Sequence, residues 1–111
     1  MDIQKKYARQ LIKSAKKRAK KNGREISITK EWVKERLEKG VCEVTGVKFL
    51  YNKKEKYKSA PYVPSLDRID STKGYTPDNT QVVCNYYNIC KWQWDLEDLT
   101  KILKYLKKVK V

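Results

Sequence analysis

At 111 residues the chain has room for one compact domain with a modest core and none for two. Twenty-seven Lys and Arg against thirteen Asp and Glu give a formal charge of +14, an imbalance that self-repels in a compact fold unless a polyanionic partner offsets it. No apolar run approaches the roughly 20 residues of a membrane span, no signal peptide opens the chain, and there is no histidine, which removes the commonest metal ligand and the commonest general base.

Residues 3 to about 22 are predicted as a basic helix. Ile3, Tyr7, Ala8, Leu11, Ile12, Ala15 and Ala19 recur at three- and four-residue spacing and form one apolar stripe, and Asn22-Gly23 closes it. Up to Arg24 there are ten basic residues and one acid, Asp2. A solvated lysine face is the plain explanation. With no acidic partners three or four residues away, phosphate contact by Lys13, Lys16, Lys17 and Lys20 is favoured.

Ile26-Ser27-Ile28 reads as a short extended segment. Thr29 caps a second helix with Glu31 in its first turn, Trp32, Val33 and Leu37 facing inward, and Gly40 at its end. Val41 to Tyr51 alternates and turns at Thr45-Gly46, as a hairpin or knuckle would. Residues 52–60 are polar and lysine-rich, with little to bury, and are expected to form a mobile loop. A strand is predicted over Ser65–Asp70, an extended run over Gln81–Cys84, and a helix from Asn85 to about Trp92. Asp95 is expected to cap a last amphipathic helix whose buried stripe is Leu96, Leu99, Ile102, Leu103, Leu106 and Val109, with Lys101, Lys104, Lys107 and Lys108 pointing elsewhere. The class is α+β and mainly helical, in one domain: a basic helical part over 1–40, a central module over 41–94 and a C-terminal helix over 95–111.

The central module carries the chemistry. In order it reads Cys42-Glu-Val-Thr-Gly46, Ser65-Leu-Asp-Arg-Ile-Asp70, Lys73-Gly-Tyr75, Asp78-Asn79, Val83-Cys84 and Asn88-Ile-Cys-Lys91. From Val41 to Trp92 the chain thereby resembles the HNH (ββα-metal) endonuclease superfamily, in its small phage and mobile-element members. The resemblance implies a hairpin followed by a helix. Asp67 and Asn88 then match the metal-binding positions, Asn79 the asparagine that holds the connecting loop, and Arg68 the place of the catalytic histidine. Mg²⁺ takes hard oxygen ligands of this kind. The alternative is that Asp67 and Asn88 only hydrogen-bond within the hairpin and helix. Arginine stays protonated and cannot serve as a base. Arg68 would instead clamp a phosphate, leaving Asp70, Tyr75 or a metal-bound hydroxide to activate water.

Many relatives hold a structural zinc ion with two CxxC knuckles. Here the knuckles read Cys42-x-x-Thr45 and Cys84-x-x-Tyr87, so half the ligands are gone and no structural zinc is expected. Cys42 and Cys84 are then small buried hydrophobes, and Cys90 has a packing role or none. An odd number of cysteines in a lysine-rich chain argues against a secreted disulfide scaffold, and with no membrane span or signal peptide in view a cytoplasmic location is expected. Tyr86, Tyr87, Trp92 and Trp94 crowd the module's helix and serve packing first, base stacking second.

The functional expectation is a DNA-binding protein that acts as a Mg²⁺-dependent endonuclease or nickase. The alternatives are a repressor or architectural factor that kept the fold without the chemistry, or an inhibitor of a nucleic-acid enzyme. Arg68, Lys73 and Lys91 join the four helix lysines as candidate phosphate contacts.

Overall fold

The structure, a computed structural model, describes residues 2–51, 61–93 and 96–109, without the side chains of 92, 93, 96 and 109. The predicted loop over 52–60, the Asp95 cap, Trp94, and the Trp92, Leu96 and Val109 side chains lie outside the described residues. Among the described residues the fold is mixed α+β, with four helices and a two-stranded antiparallel sheet. None of these helices is long and apolar enough to cross a membrane.

Helix α1 spans Ile3–Asn22, with the Asp2 carboxylate accepting from Gln4 N and Gly23 at φ 64° turning the chain out. Its buried face is the predicted stripe narrowed to Ala8, Ile12, Ala15 and Ala19. Three alanines on that face let α2, Lys30–Glu38, pack closely against it. The Thr29 hydroxyl accepts from Trp32 N at 3.1 Å and starts α2 where expected.

Strand β1 spans Pro64–Arg68 and pairs with β2, Thr80–Cys84, so that Leu66 faces Val82 and Asp67 faces Gln81. The predicted strand over Ser65–Asp70 therefore starts one residue early and stops two short. Asp70 is diverted into a turn, its carboxylate accepting from both the N–H and the hydroxyl of Thr72. Adjacent residues of a strand point to opposite faces. Val82 and Val83 are both fully buried, so both faces of the sheet are covered. The face of Leu66 and Val82 joins α1 and α2 in the main core, with Ile28, Val33, Leu37 and Phe49. The face of Ser65 and Asp67 lies under α3, Asn85–Gln93.

Two segments read as extended make only single bridges: Ile26 with Tyr75, and Val41 with Lys48 across the Gly46 turn. Glu43, in that turn, seals the outer edge of β2. Its N–H donates to Val82 O at 3.0 Å and its carboxylate accepts from Val82 N at 2.6 Å.

Helix α4, Leu96–Val109, corrects one expectation. Its described apolar stripe is not buried: Ile102, Leu103 and Leu106 are exposed, Leu103 by 54%. Amphipathic spacing fixes which face is apolar but not whether anything covers it. Tyr86 on α3 is likewise not a packing residue, being 61% exposed, whereas Tyr87 packs against the core.

Candidate functional site

The site is built around the open edge of β1. The Leu66–Val82 pair exchanges no hydrogen bonds across the sheet, because Val82 spends its N–H and C=O on Glu43. The carbonyls of Leu66 and Arg68 therefore point outward, where α3 meets them. Asn88 Nδ2 donates to Leu66 O at 3.1 Å and to Ser65 Oγ at 2.7 Å. Lys91 Nζ donates to Arg68 O at 3.0 Å and to Ile69 O at 3.3 Å. Residues three apart on a helix lie about 5–6 Å apart on one face, close to the repeat of alternate carbonyls along a strand. The Asn-x-x-Lys spacing is thus the spacing of a strand-edge cap.

The same ammonium closes on Asp67. Lys91 Nζ lies 3.0 Å from Oδ2 and 3.2 Å from Oδ1, and Gln81 Nε2 donates to Oδ2 at 2.8 Å. Asp67 is only 5% exposed. A carboxylate that deep is tolerable because it is paired and hydrogen-bonded. Lys91 Nζ therefore sits among four oxygens, two from Asp67 and two backbone carbonyls. In this arrangement both Asp67 oxygens accept hydrogen bonds, and Asn88 directs its amide nitrogen to β1. Among the described residues no group of three or more acidic, Cys or His side chains gathers as for a metal ion.

On the other face of β1, Arg68 turns toward α1. Its guanidinium carbon lies 5.2 Å from the Tyr75 ring centroid, and Nη1 donates to Lys73 O at 3.0 Å. Arg18, from α1, reaches the same tyrosine, with Nε donating to the hydroxyl at 3.0 Å and its carbon 5.9 Å from the centroid. Both halves open into one cleft of about 470 Å³, lined by Arg18, Asp67, Arg68, Tyr75, Asn88 and Lys91 among others.

No protein-family model matches the chain, and no curated protein or solved structure matches it either.

Asp67, Arg68, Asn88 and Lys91 all line the cleft, but the Lys91 ammonium, expected as a phosphate contact, is turned to Asp67 and the β1 carbonyls. Asn79 is not part of the cleft lining. It is buried in the β1–β2 loop, where Nδ2 donates to Gly74 O at 2.8 Å and Asp70 O at 3.1 Å, and Oδ1 accepts from Asp70 N at 2.9 Å. Lys73 is exposed in that loop, also outside the lining. Asp70 lies outside it too, and hydrogen bonds from the Thr72 hydroxyl and N–H hold its carboxyl below the usual range. That makes it a poor proton acceptor. Tyr75 lines the cleft, but its hydroxyl already accepts from Arg18.

Lys13, Lys16, Lys17 and Lys20 are all exposed. At 100° per residue they occupy one flank of α1, and Arg18 projects from the other. Sequence reasoning passed over Arg18, which nothing local distinguishes from nine other basic residues.

Cys42 and Cys84 are buried free thiols, as expected. They are electrostatically linked. Burial pushes the Cys84 thiol up, with Cys42 beside it adding to the rise. Burial acts on Cys42 in the same sense but is outweighed by hydrogen bonds from Thr45 and neighbouring backbone, so that thiol falls below its ordinary value. Thr45 N donates to Cys42 Sγ at 3.4 Å. The chain thus turns tightly at Cys42, with the Thr45 hydroxyl at the position a CxxC spacing would give to a second sulfur. Elemental analysis of purified protein is expected to find no stoichiometric zinc, and EDTA to leave the thermal midpoint unchanged. A tightly held zinc ion would overturn this reading of the two thiols.

Proposed function

We propose that the protein binds duplex DNA through an HNH-like strand-strand-helix module, with Lys91 taking the place in the site that a metal ion would need. The observation that carries this reading is the charge of the cleft. Arg18, Arg68 and Lys91 line it with a single carboxylate, Asp67, which Lys91 and Gln81 already engage. What remains on offer is positive. The exposed lysine flank of α1 and the overall charge of +14 extend the same preference for a polyanion. The order β1, β2, α3 supports the HNH-like reading of the module.

A second reading has its own support. Asp67, Arg68 and Asn88 converge on one cleft, as a Mg²⁺-dependent endonuclease or nickase of this type would need.

Two measurements separate the readings. Fluorescence anisotropy with a labelled duplex should show affinity falling steeply with salt, because each neutralised phosphate releases counterions. Changing Lys13, Lys16, Lys17 and Lys20 together to Gln should weaken binding and flatten that slope; an unchanged slope would assign those lysines to solubility. Supercoiled plasmid incubated with Mg²⁺, Mn²⁺ or EDTA should stay intact throughout. Nicking that needs the metal and disappears in Asp67→Ala would establish the nuclease instead.

A further inference from the structure

We propose that Arg18 and Arg68 together grip one backbone phosphate of the nucleic acid, with Tyr75 as the fixed post that aims both guanidinium groups. This rests on the DNA-binding reading and gives it a specific anion site. Two guanidinium groups drawn to one aromatic ring repel each other, and neither has a carboxylate partner among the described residues. An anion between them relieves that repulsion. Each of these side chains carries five N–H donors in a planar fork suited to phosphate. Arg18 commits Nε to Tyr75 and Arg68 commits one Nη1 hydrogen to Lys73 O. Among the described residues nothing else takes up these forks, which leaves the rest of each to a ligand in the cleft.

The post is rigid. Tyr75 is buried, its N–H donates to Glu25 O at 2.8 Å, and its carbonyl accepts from Ser27 N at 2.9 Å. Those partners belong to the linker between α1 and α2, the helix pair that presents Arg18. The two arginines, 50 positions apart in sequence, are therefore aimed by one tied-down ring. A cleft of about 470 Å³ admits a phosphodiester with part of its flanking sugars.

The test is a salt titration of duplex affinity for wild type, Arg18→Gln, Arg68→Gln and the double variant, with Arg18→Lys to keep the charge without the fork. Each single change should lower affinity about ten- to a hundred-fold, the range for hydrogen bonds to charged groups. If both arginines hold one phosphate, the double variant loses about one unit of salt slope, roughly 0.9 per phosphate, rather than two. A loss of two units, or no loss in Arg18→Gln, overturns the shared site. Inorganic phosphate followed through the Arg18 and Arg68 Nε–H resonances distinguishes the remaining failures. If phosphate shifts both signals while no duplex binds, the anion site stands and the DNA-binding reading falls. If phosphate shifts neither, the site falls even where duplex still binds.

Discussion

Replacing Lys91 with methionine is expected to lower stability by about 2–4 kcal/mol in urea unfolding at neutral pH. Removing one partner of a buried ion pair costs about 3–5 kcal/mol because the other charge is left uncompensated. Lys91 is 24% exposed, which lets some water reach Asp67 and moderates the loss. Methionine keeps the bulk of the side chain, so the deficit reads the charge and its hydrogen bonds. The paired change Asp67→Asn with Lys91→Met should recover most of it, since no ion is then stranded. Lys91→Ala opens the four-oxygen cage and supplies a further check. Millimolar Mg²⁺ or Mn²⁺ should raise the thermal midpoint of that variant and leave wild type where it was, because only a ligand of the folded state stabilises it. If Lys91→Met unfolds like wild type, the ammonium is not what holds Asp67.

Gly74→Ala is expected to lower the thermal midpoint by about 10 °C or more. A β-carbon at Gly74 would fall inside the backbone carbonyl of Glu25, and rigid backbone cannot step aside as a side-chain tip can. Overpacking of this kind costs about 1–3 kcal/mol and occasionally more. For a domain near this size each kcal/mol is worth roughly 4–8 °C. The neighbouring hydrogen bonds raise the toll, since Asn79 Nδ2 donates to Gly74 O and Tyr75 N to Glu25 O. Duplex affinity measured well below the new midpoint should also fall, because the displaced loop carries Tyr75. A midpoint within 2–3 °C of wild type, roughly half a kcal/mol, would show that the seam yields without cost.

What the sequence revealed of this fold followed local rules. The register of α1 was legible because Ala8, Ile12, Ala15 and Ala19 repeat with helical period, and the start of α2 because Thr29 is a strong cap. The convergence of Asp67, Arg68 and Asn88 was legible through the order of short motifs. Three features were hidden because each depends on a distant partner. Arg18 differs from Lys17 or Lys20 only in facing Tyr75, 57 residues away. The structural use of Asn88 and Lys91 depends on which edge of β1 is open, and that is decided by Glu43 holding β2 from the far side. The α4 stripe was misread because its pattern looks the same whether or not a neighbour covers it.

The capped edge of β1 also bears on how the molecule behaves in crowded solution. A strand with unanswered carbonyls is a template onto which another chain can add a strand. The Leu66 and Arg68 carbonyls would be such a template, with exposed Ile69 and Ile89 beside them, were the α3 side chains not in place. Asn88 and Lys91 thus act as guards against self-association as well as lining the cleft. Loss of either would be felt first as the protein is concentrated. At low concentration, where chains seldom meet, the same lesion would pass unnoticed.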